Sequence, residues 1–320
     1  MNREPNYLKY PSVMKEPKPI KLKNETITLY TFSFKGIDDL SRFLKTDPPI
    51  NEGFNKNKLS SVYRDARFSG VSYDEAVGKL RDLKDPGYLH YLEVNSRIQK
   101  FASVNKVYKT VKTLGGTPDP IAISTNSPYT STTRRKVRVP KTIILNVDVG
   151  ISYDTEDDQL LNRALIITSL INALEKRNYN VLVNAFMLAE YEDEVIKAIF
   201  DIKGIRRQTD YQSLYKTLVD KGFFRRICFR LIEVSDVNNK WHFSYGRACS
   251  KEKCMELMKI GPNDLLFREP NQMGIAGLDI EEDFENAVEL LGLNGRIDIY
   301  TEKNILKHCL IDYKEKIYHR

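Results

Sequence analysis

The chain is short of cysteine, of histidine and of long apolar runs. Four cysteines in 320 residues do not make a disulfide framework, so a reducing, cytoplasmic setting is expected. Four histidines, His90, His242, His308 and His319, offer few imidazole bases. The sequence has no G-x-S-x-G elbow, no Walker A loop and no G-x-G-x-x-G. Nucleophilic and nucleotide-dependent chemistry therefore find little footing. No apolar stretch reaches the roughly 18 residues of a membrane-spanning helix, so no membrane partner is expected. The first residues carry no apolar h-region of a secretory signal.

What is present suffices for a folded core. Hydrophobic residues make up 41% of the chain, with 14 Phe and 18 Tyr, and the length suits about two domains. The net charge of +7 is unevenly placed. Residues 1–24 carry +4, residues 134–141 carry +5 and residues 303–320 carry +3, which leaves the rest at −5. Four prolines in residues 1–24 predict a basic flexible arm. A Ser/Thr-rich stretch followed by Arg134, Arg135, Lys136 and Arg138 marks a domain boundary. These four, with Arg206 and Arg207, are the candidate nucleic-acid contacts, and Phe223 and Phe224 beside Arg225 are candidate stacking groups.

Residues 25–133 read as a mainly helical α+β region. Alternating Thr/Ser and apolar residues predict a strand over 27–34, and helices are expected over 37–44, 72–83 and 88–114. Ser72 and Glu75 form a capping-box pattern. Residues 134–320 read as an α/β domain with a C-terminal extension. Strands are expected over 142–147, 180–188, 195–202 and 226–234. Helices are expected over 156–176, capped by Thr155 with Asp158, and over 210–220, 251–259 and 281–291. Strands alternating with helices predict a mainly parallel sheet covered by helices.

Ligands of open α/β sheets bind beyond the carboxyl ends of the strands. Asp148 and Ser152, Thr209 and Asp236 stand at three such positions, and oxygen ligands of this kind suit Mg²⁺ or Mn²⁺. Asp148, Asp154 and the acids of 156–158 are a second grouping, compatible with metal-dependent hydrolysis or with a solvated helix start. Cys228, His242, Cys249 and Cys254 offer a zinc set without the usual paired spacing.

The order of these residues resembles a von Willebrand A-type domain. That family's metal-ion-dependent adhesion site has an Asp-x-Ser-x-Ser loop, a Thr before a later helix and an Asp after a central strand. Asp148 and Ser152 match the first and fifth loop positions, Thr209 the Thr, and Asp236 the later Asp, while Gly150 stands where the family has its middle Ser. The resemblance spans residues 142–236 and implies a three-layer fold with Mg²⁺ or Mn²⁺ completed by a partner's acidic group. The whole chain is also similar to a poorly characterised phage and prophage family. That likeness rests on FSGVSYDEA at 68–76, GGTPDP at 115–120 and Arg163, and it implies a bacterial host cytoplasm. The function expected is a non-enzymatic protein-binding or assembly module. The alternatives are a nucleic-acid-binding protein and a metal-dependent hydrolase.

Overall fold

A computed structural model describes residues 5–51, 54, 71–104, 117–118, 131–132, 141–152, 154–204, 208–237 and 246–318. The chain opens with α1 (Asn6–Lys9), then β1 (Met14–Lys21), β2 (Thr26–Phe34) and α2 (Ile37–Lys45). The short α3 (Tyr73–Lys79) begins at the expected capping box: Ser72 Oγ accepts from the Glu75 amide, and the Ser72 amide donates to the Glu75 carboxylate. The long α4 (Pro86–Val104) follows; residues 105–114 of the expected helix lie outside the described residues. Two-residue strands β3 (Thr117–Pro118) and β4 (Ser131–Thr132) pair with each other.

The sheet's centre comes next. Strand β5 (Lys141–Asp148) leads to α5 (Asp157–Lys176), β6 (Tyr179–Tyr191), β7 (Glu194–Lys203) and α6 (Tyr211–Leu218). A π-helical segment, Phe223–Cys228, runs straight into α7 (Phe229–Val234). Then come β8 (Arg247–Ala248), α8 (Lys251–Met258), β9 (Leu265–Phe267), a 3-10 turn (Pro270–Met273), α9 (Ile280–Leu290) and α10 (Ile299–Tyr318).

This is an α/β protein built on one mixed seven-stranded sheet, ordered β1-β2-β7-β6-β5-β9, with β8 pairing β6. The pairs β2/β7, β5/β6 and β5/β9 are parallel; β1/β2, β6/β7 and β6/β8 are antiparallel. The expected parallel bias fails at β6/β7 because only Glu192 and Asp193 join the two strands. So short a link permits a hairpin and no crossover.

The sheet runs across the boundary expected at 133/134, since β2 pairs with β7 from Thr28/Glu194 to Phe34/Phe200. Nor are residues 14–21 a flexible arm: they are the edge strand. Pro17 and Pro19 are tolerated there, with a register irregularity between Lys15 and Lys18.

One face of the sheet carries Tyr30, Phe32, Phe34, Val183, Ala198 and Phe200 into the main core. At its middle lies α5, buried on nearly every side, its polar residues Asn162, Arg163, Thr168 and Ser169 included. Polar links fix its neighbours. Tyr91 Oη and Thr168 Oγ1 are 2.7 Å apart, Asn162 donates to Asp283 at 2.7 Å, and Lys176 donates to Glu302 at 2.6 Å. The opposite face carries a smaller cluster, in which Ile27, Leu29, Phe186, Leu188 and Val195 are covered by Cys254 and Leu257 of α8.

The expected strand at 226–234 is a helix. Phe223, Ile227, Leu231 and Val234 recur at helical spacing and are all buried. Arg226, Arg230 and Glu233 are buried beside them, with Arg226 donating to Val71 O and Arg230 pairing with Asp47 at 2.9 Å. The α5 cap also shifts by one residue. Glu156 is the N-cap, and its amide donates to Gln159 Oε1 at 2.8 Å, while Thr155 is buried against Ser152.

Candidate functional site

The chain leaves β5 for β6 on one side and later returns to β9 on the other. The carboxyl ends of β5 and β9 therefore form a topological switch point, where open α/β sheets hold their ligands. Asp148 ends β5. The residues that follow β9 are Arg268 and Glu269.

Asp148 is buried, and its Oδ1 accepts from the Gly150 amide at 2.9 Å. A side chain at position 150 would crowd that carboxylate, because a Cβ there falls 3.0 Å from Oδ1. The other oxygen faces a cation: Arg268 Nε lies 3.6 Å from Asp148 Oδ2. Arg268 is itself buried and donates through Nη2 to Cys249 O at 3.0 Å. Burial pushes the Asp148 carboxyl above its ordinary range, and the Gly150 amide and the two guanidinium groups, Arg268 and Arg163, work against that rise.

Arg163, on α5, closes the loop from below. It is 1% exposed. Its Nη1 reaches Asp148 O at 3.3 Å and Gly150 O at 3.2 Å, and its Nη2 reaches Leu218 O at 2.6 Å. Burial lowers its pKa to about 10, which leaves it charged at neutral pH. Ser152 is equally engaged. Its hydroxyl accepts from Asn271 at 2.8 Å and shares a 2.9 Å contact with Thr155, while its carbonyl accepts from Arg225 at 3.1 Å.

A cavity of about 260 Å³ opens beside this loop. Met187, Leu188, Phe224, Phe229 and Ile232 supply its apolar wall, and Asp148, Ser152, Arg247 and Glu269 its polar lining. The π-helical segment contributes Phe224, and π-helical turns recur at functional sites.

The four expected metal ligands do not form one site. Only Asp148 and Ser152 share the cavity. Thr209 lies at the far end of the sheet: β7 runs against β6, and its last residue, Lys203, pairs with Glu175 in the final turn of α5. Thr209 sits there beside Tyr211, and Asp210 caps α6 by accepting from the Ser213 amide and hydroxyl. Asp236 follows a helix and accepts from the Asn6 amide at 2.7 Å. It lies near Tyr30 of β2, three strand positions or about 14 Å from β5.

These residues do not fit Mg²⁺ or Mn²⁺. Asp148 already faces a guanidinium, the Ser152 hydroxyl is spent on protein partners, and no group of three or more His, Cys, Asp or Glu among the described residues is placed to hold a metal. The second acidic grouping is a solvated helix start. Asp154, Glu156, Asp157 and Asp158 are exposed, and Asp157 pairs with Lys221 at 2.9 Å.

The zinc set is split across the sheet. Cys228 lies in the main core, while Cys254 of α8 and Cys249 just before that helix lie in the cluster on the other face. Burial raises all three thiols, Cys254 to about 12, so they stay protonated. His242 lies outside the described residues, as do Arg134, Arg135, Lys136, Arg138, Arg206 and Arg207. Phe223 is no stacking platform: it is buried against Phe200, their ring centroids 5.2 Å apart. Phe224 packs on Phe229 in the cavity wall.

Sequence reasoning missed Arg268, Glu269 and the apolar wall. The one available signal was Arg163, a charge on the apolar side of a strongly periodic helix.

Among the described residues no helix is long and apolar enough to cross a membrane. Neither the curated proteins nor the solved structures contain a match to the chain. A family model does match, described as a domain of unknown function (DUF7192), and it covers residues 16–294; by that span the chain belongs to this family.

Proposed function

We propose that the protein is a non-enzymatic binding module, and that the cavity at the end of β5 receives one apolar side chain of a protein partner. The observation that carries this reading is the cavity itself. Its volume of about 260 Å³ falls below the 300–1,000 Å³ usual for small-molecule sites and suits a single buried anchor. Its wall is aromatic and aliphatic, and its polar groups stand to one side, as at an interface hot spot. Arg163 ties Asp148 and Gly150 together and Arg268 faces the carboxylate, which supports a preformed surface for the partner.

The succession of β5, the Asp148–Ser152 loop and α5 supports kinship with a von Willebrand A-like core over this part of the chain. Assembly in a phage or other mobile element, in a bacterial cytoplasm, is the setting we infer from the sequence likeness.

Side-chain-sized probes such as indole, p-cresol and isobutanol test the reading by amide chemical-shift mapping. Saturable shifts are expected at Gly150, Ile151, Leu188, Ala189 and Gly246. Ala189→Leu, which narrows the cavity, should weaken them. Shifts scattered over other surfaces, or none at millimolar probe, would remove the cavity as the binding site.

A further inference from the structure

On the face opposite the main core, four lysines gather near the β1 edge of the sheet. The register sets Lys15 of β1 beside Thr31 of β2, and Thr31 beside Lys197 of β7. Lys18 stands opposite Leu29, two residues from Thr31 on the same strand. Side chains opposite one another in register share a face, so Lys15, Lys18 and Lys197 project from one side of the sheet. With strands about 4.8 Å apart, the Cα atoms of Lys15 and Lys197 are about 10 Å apart.

The end of α8 adds a fourth lysine. Lys197 Nζ donates to Leu257 O in that helix's last turn at 2.6 Å, and Lys259 is the left-handed C-cap, with φ of 54°. Lys15, Lys18 and Lys259 are exposed, and Lys197 is half-buried. Four other buried or half-buried lysines have carboxylates: Lys176 has Glu302, Lys203 has Glu175, Lys216 has Asp85 and Lys253 has Glu190. Among the described residues, none of Lys15, Lys18, Lys197 and Lys259 has one. Lys197 is held below its ordinary pKa by burial and then by the positive charges of Lys259 and Lys15, with no acid acting the other way.

Gathering like charges around a half-buried lysine costs stability, and an anionic ligand would recover it. Exposed ammonium groups on β1 and at the end of α8, with the half-buried Lys197 near both, suit repeated negative charges better than a single small anion. The Thr31 hydroxyl, half-buried between Lys15 and Lys197, adds a donor on the same line. We propose that Lys15, Lys18, Lys197 and Lys259 form a binding site for the phosphodiester backbone of nucleic acid. The site stands on different residues from the β5 cavity and does not depend on it.

Fluorescence anisotropy of labelled oligonucleotides, single-stranded and duplex, with the full chain tests this. Binding should weaken steeply with salt. The variant Lys15→Gln/Lys18→Gln/Lys259→Gln changes exposed positions only and spares the fold. It should weaken single-strand binding at least about tenfold near 100 mM salt and reduce the log–log salt slope by about 2, since each phosphate contact contributes about 0.7. A control, Lys35→Gln/Lys45→Gln/Lys84→Gln, removes three exposed lysines elsewhere and should change the affinity little. The proposal is overturned by absence of binding to either probe near 50 mM salt, or by wild-type affinity and slope in the first variant. An equal loss in the control overturns it too, as does lysine-dependent binding to phosphatidylserine vesicles in place of oligonucleotides.

Discussion

Replacing Arg163 with alanine is expected to cost about 3–5 kcal/mol of folding free energy, the range for removing one partner from a buried charged network. The side chain is 1% exposed and reaches three carbonyl oxygens, one on the last residue of β5, one in the loop after it and one at the end of α6. Gly150 lies outside any strand or helix and Leu218 ends α6, where the last carbonyls have no intrahelical donor, so losing the guanidinium leaves under-satisfied acceptors beside a buried carboxylate. Asp148, already pushed up by burial, loses one of the two guanidinium groups that hold it down. Arg163→Met separates packing from hydrogen bonding, because it fills much of the volume without a donor. Chemical denaturation should find it nearly as destabilised as the alanine variant. A loss under about 1 kcal/mol for Arg163→Met would mean that the carbonyl contacts contribute little.

The second large effect is expected at Asp85, where about 3–5 kcal/mol should be lost on substitution by alanine. The Lys216 side chain is fully buried and donates to the Asp85 carboxylate. Asp85 also opens α4 by accepting from the Gly87 amide at 2.9 Å. Asp85→Ala thus strands a buried ammonium group and removes a cap. The double variant Asp85→Ala/Lys216→Met removes both charges and should be more stable than Asp85→Ala alone; a double variant no better than the single one would contradict the pairing.

The pH dependence has a definite sign. Burial pushes the Asp85 carboxyl up, but the hydrogen bond and charge of Lys216, with the Tyr88 and Gly87 amides, push it further down, so its folded pKa lies below the ordinary carboxylate value. Its stabilisation is complete above the unfolded pKa of about 4 and is lost as pH falls through the lower folded value. Acid titration of Asp85→Asn should show a correspondingly smaller loss below about pH 4.

Much of the scaffold was legible because its signals are local. Leu160, Ala164, Ile167, Ile171 and Leu174 recur at steps of three and four, and they lie in the core as α5. Thr and Ser between apolar residues marked β2, and Ser72 with Glu75 marked the start of α3. The segment 226–234 was misread as a strand because Arg226, Arg230 and Glu233 broke its helical apolar pattern. Charges normally signal solvent, and here all three are buried with polar partners brought from elsewhere in the chain. The site was half legible for a related reason. Asp148 and Ser152 close a strand and could be read as a strand-end loop. Arg268 and Glu269 follow a strand of three residues, too short for any periodic signal, which joins β5 from some 120 residues away. The edge strand β1 was hidden by Pro17 and Pro19, which argue against a central strand and are compatible with an edge.

The metal-free form of the binding reading depends on one claim: the carboxylate that ends β5 is answered by arginine and by no metal. Thermal unfolding of the wild type and of Asp148→Ala, each titrated with MgCl₂ and MnCl₂ to millimolar concentration against an ionic-strength-matched control free of divalent metal, tests it directly. The account predicts a wild-type midpoint unchanged by either metal, and an Asp148→Ala midpoint lowered by the same amount with and without metal. A wild-type midpoint that rises with Mg²⁺ or Mn²⁺, with the rise abolished in Asp148→Ala, would contradict it.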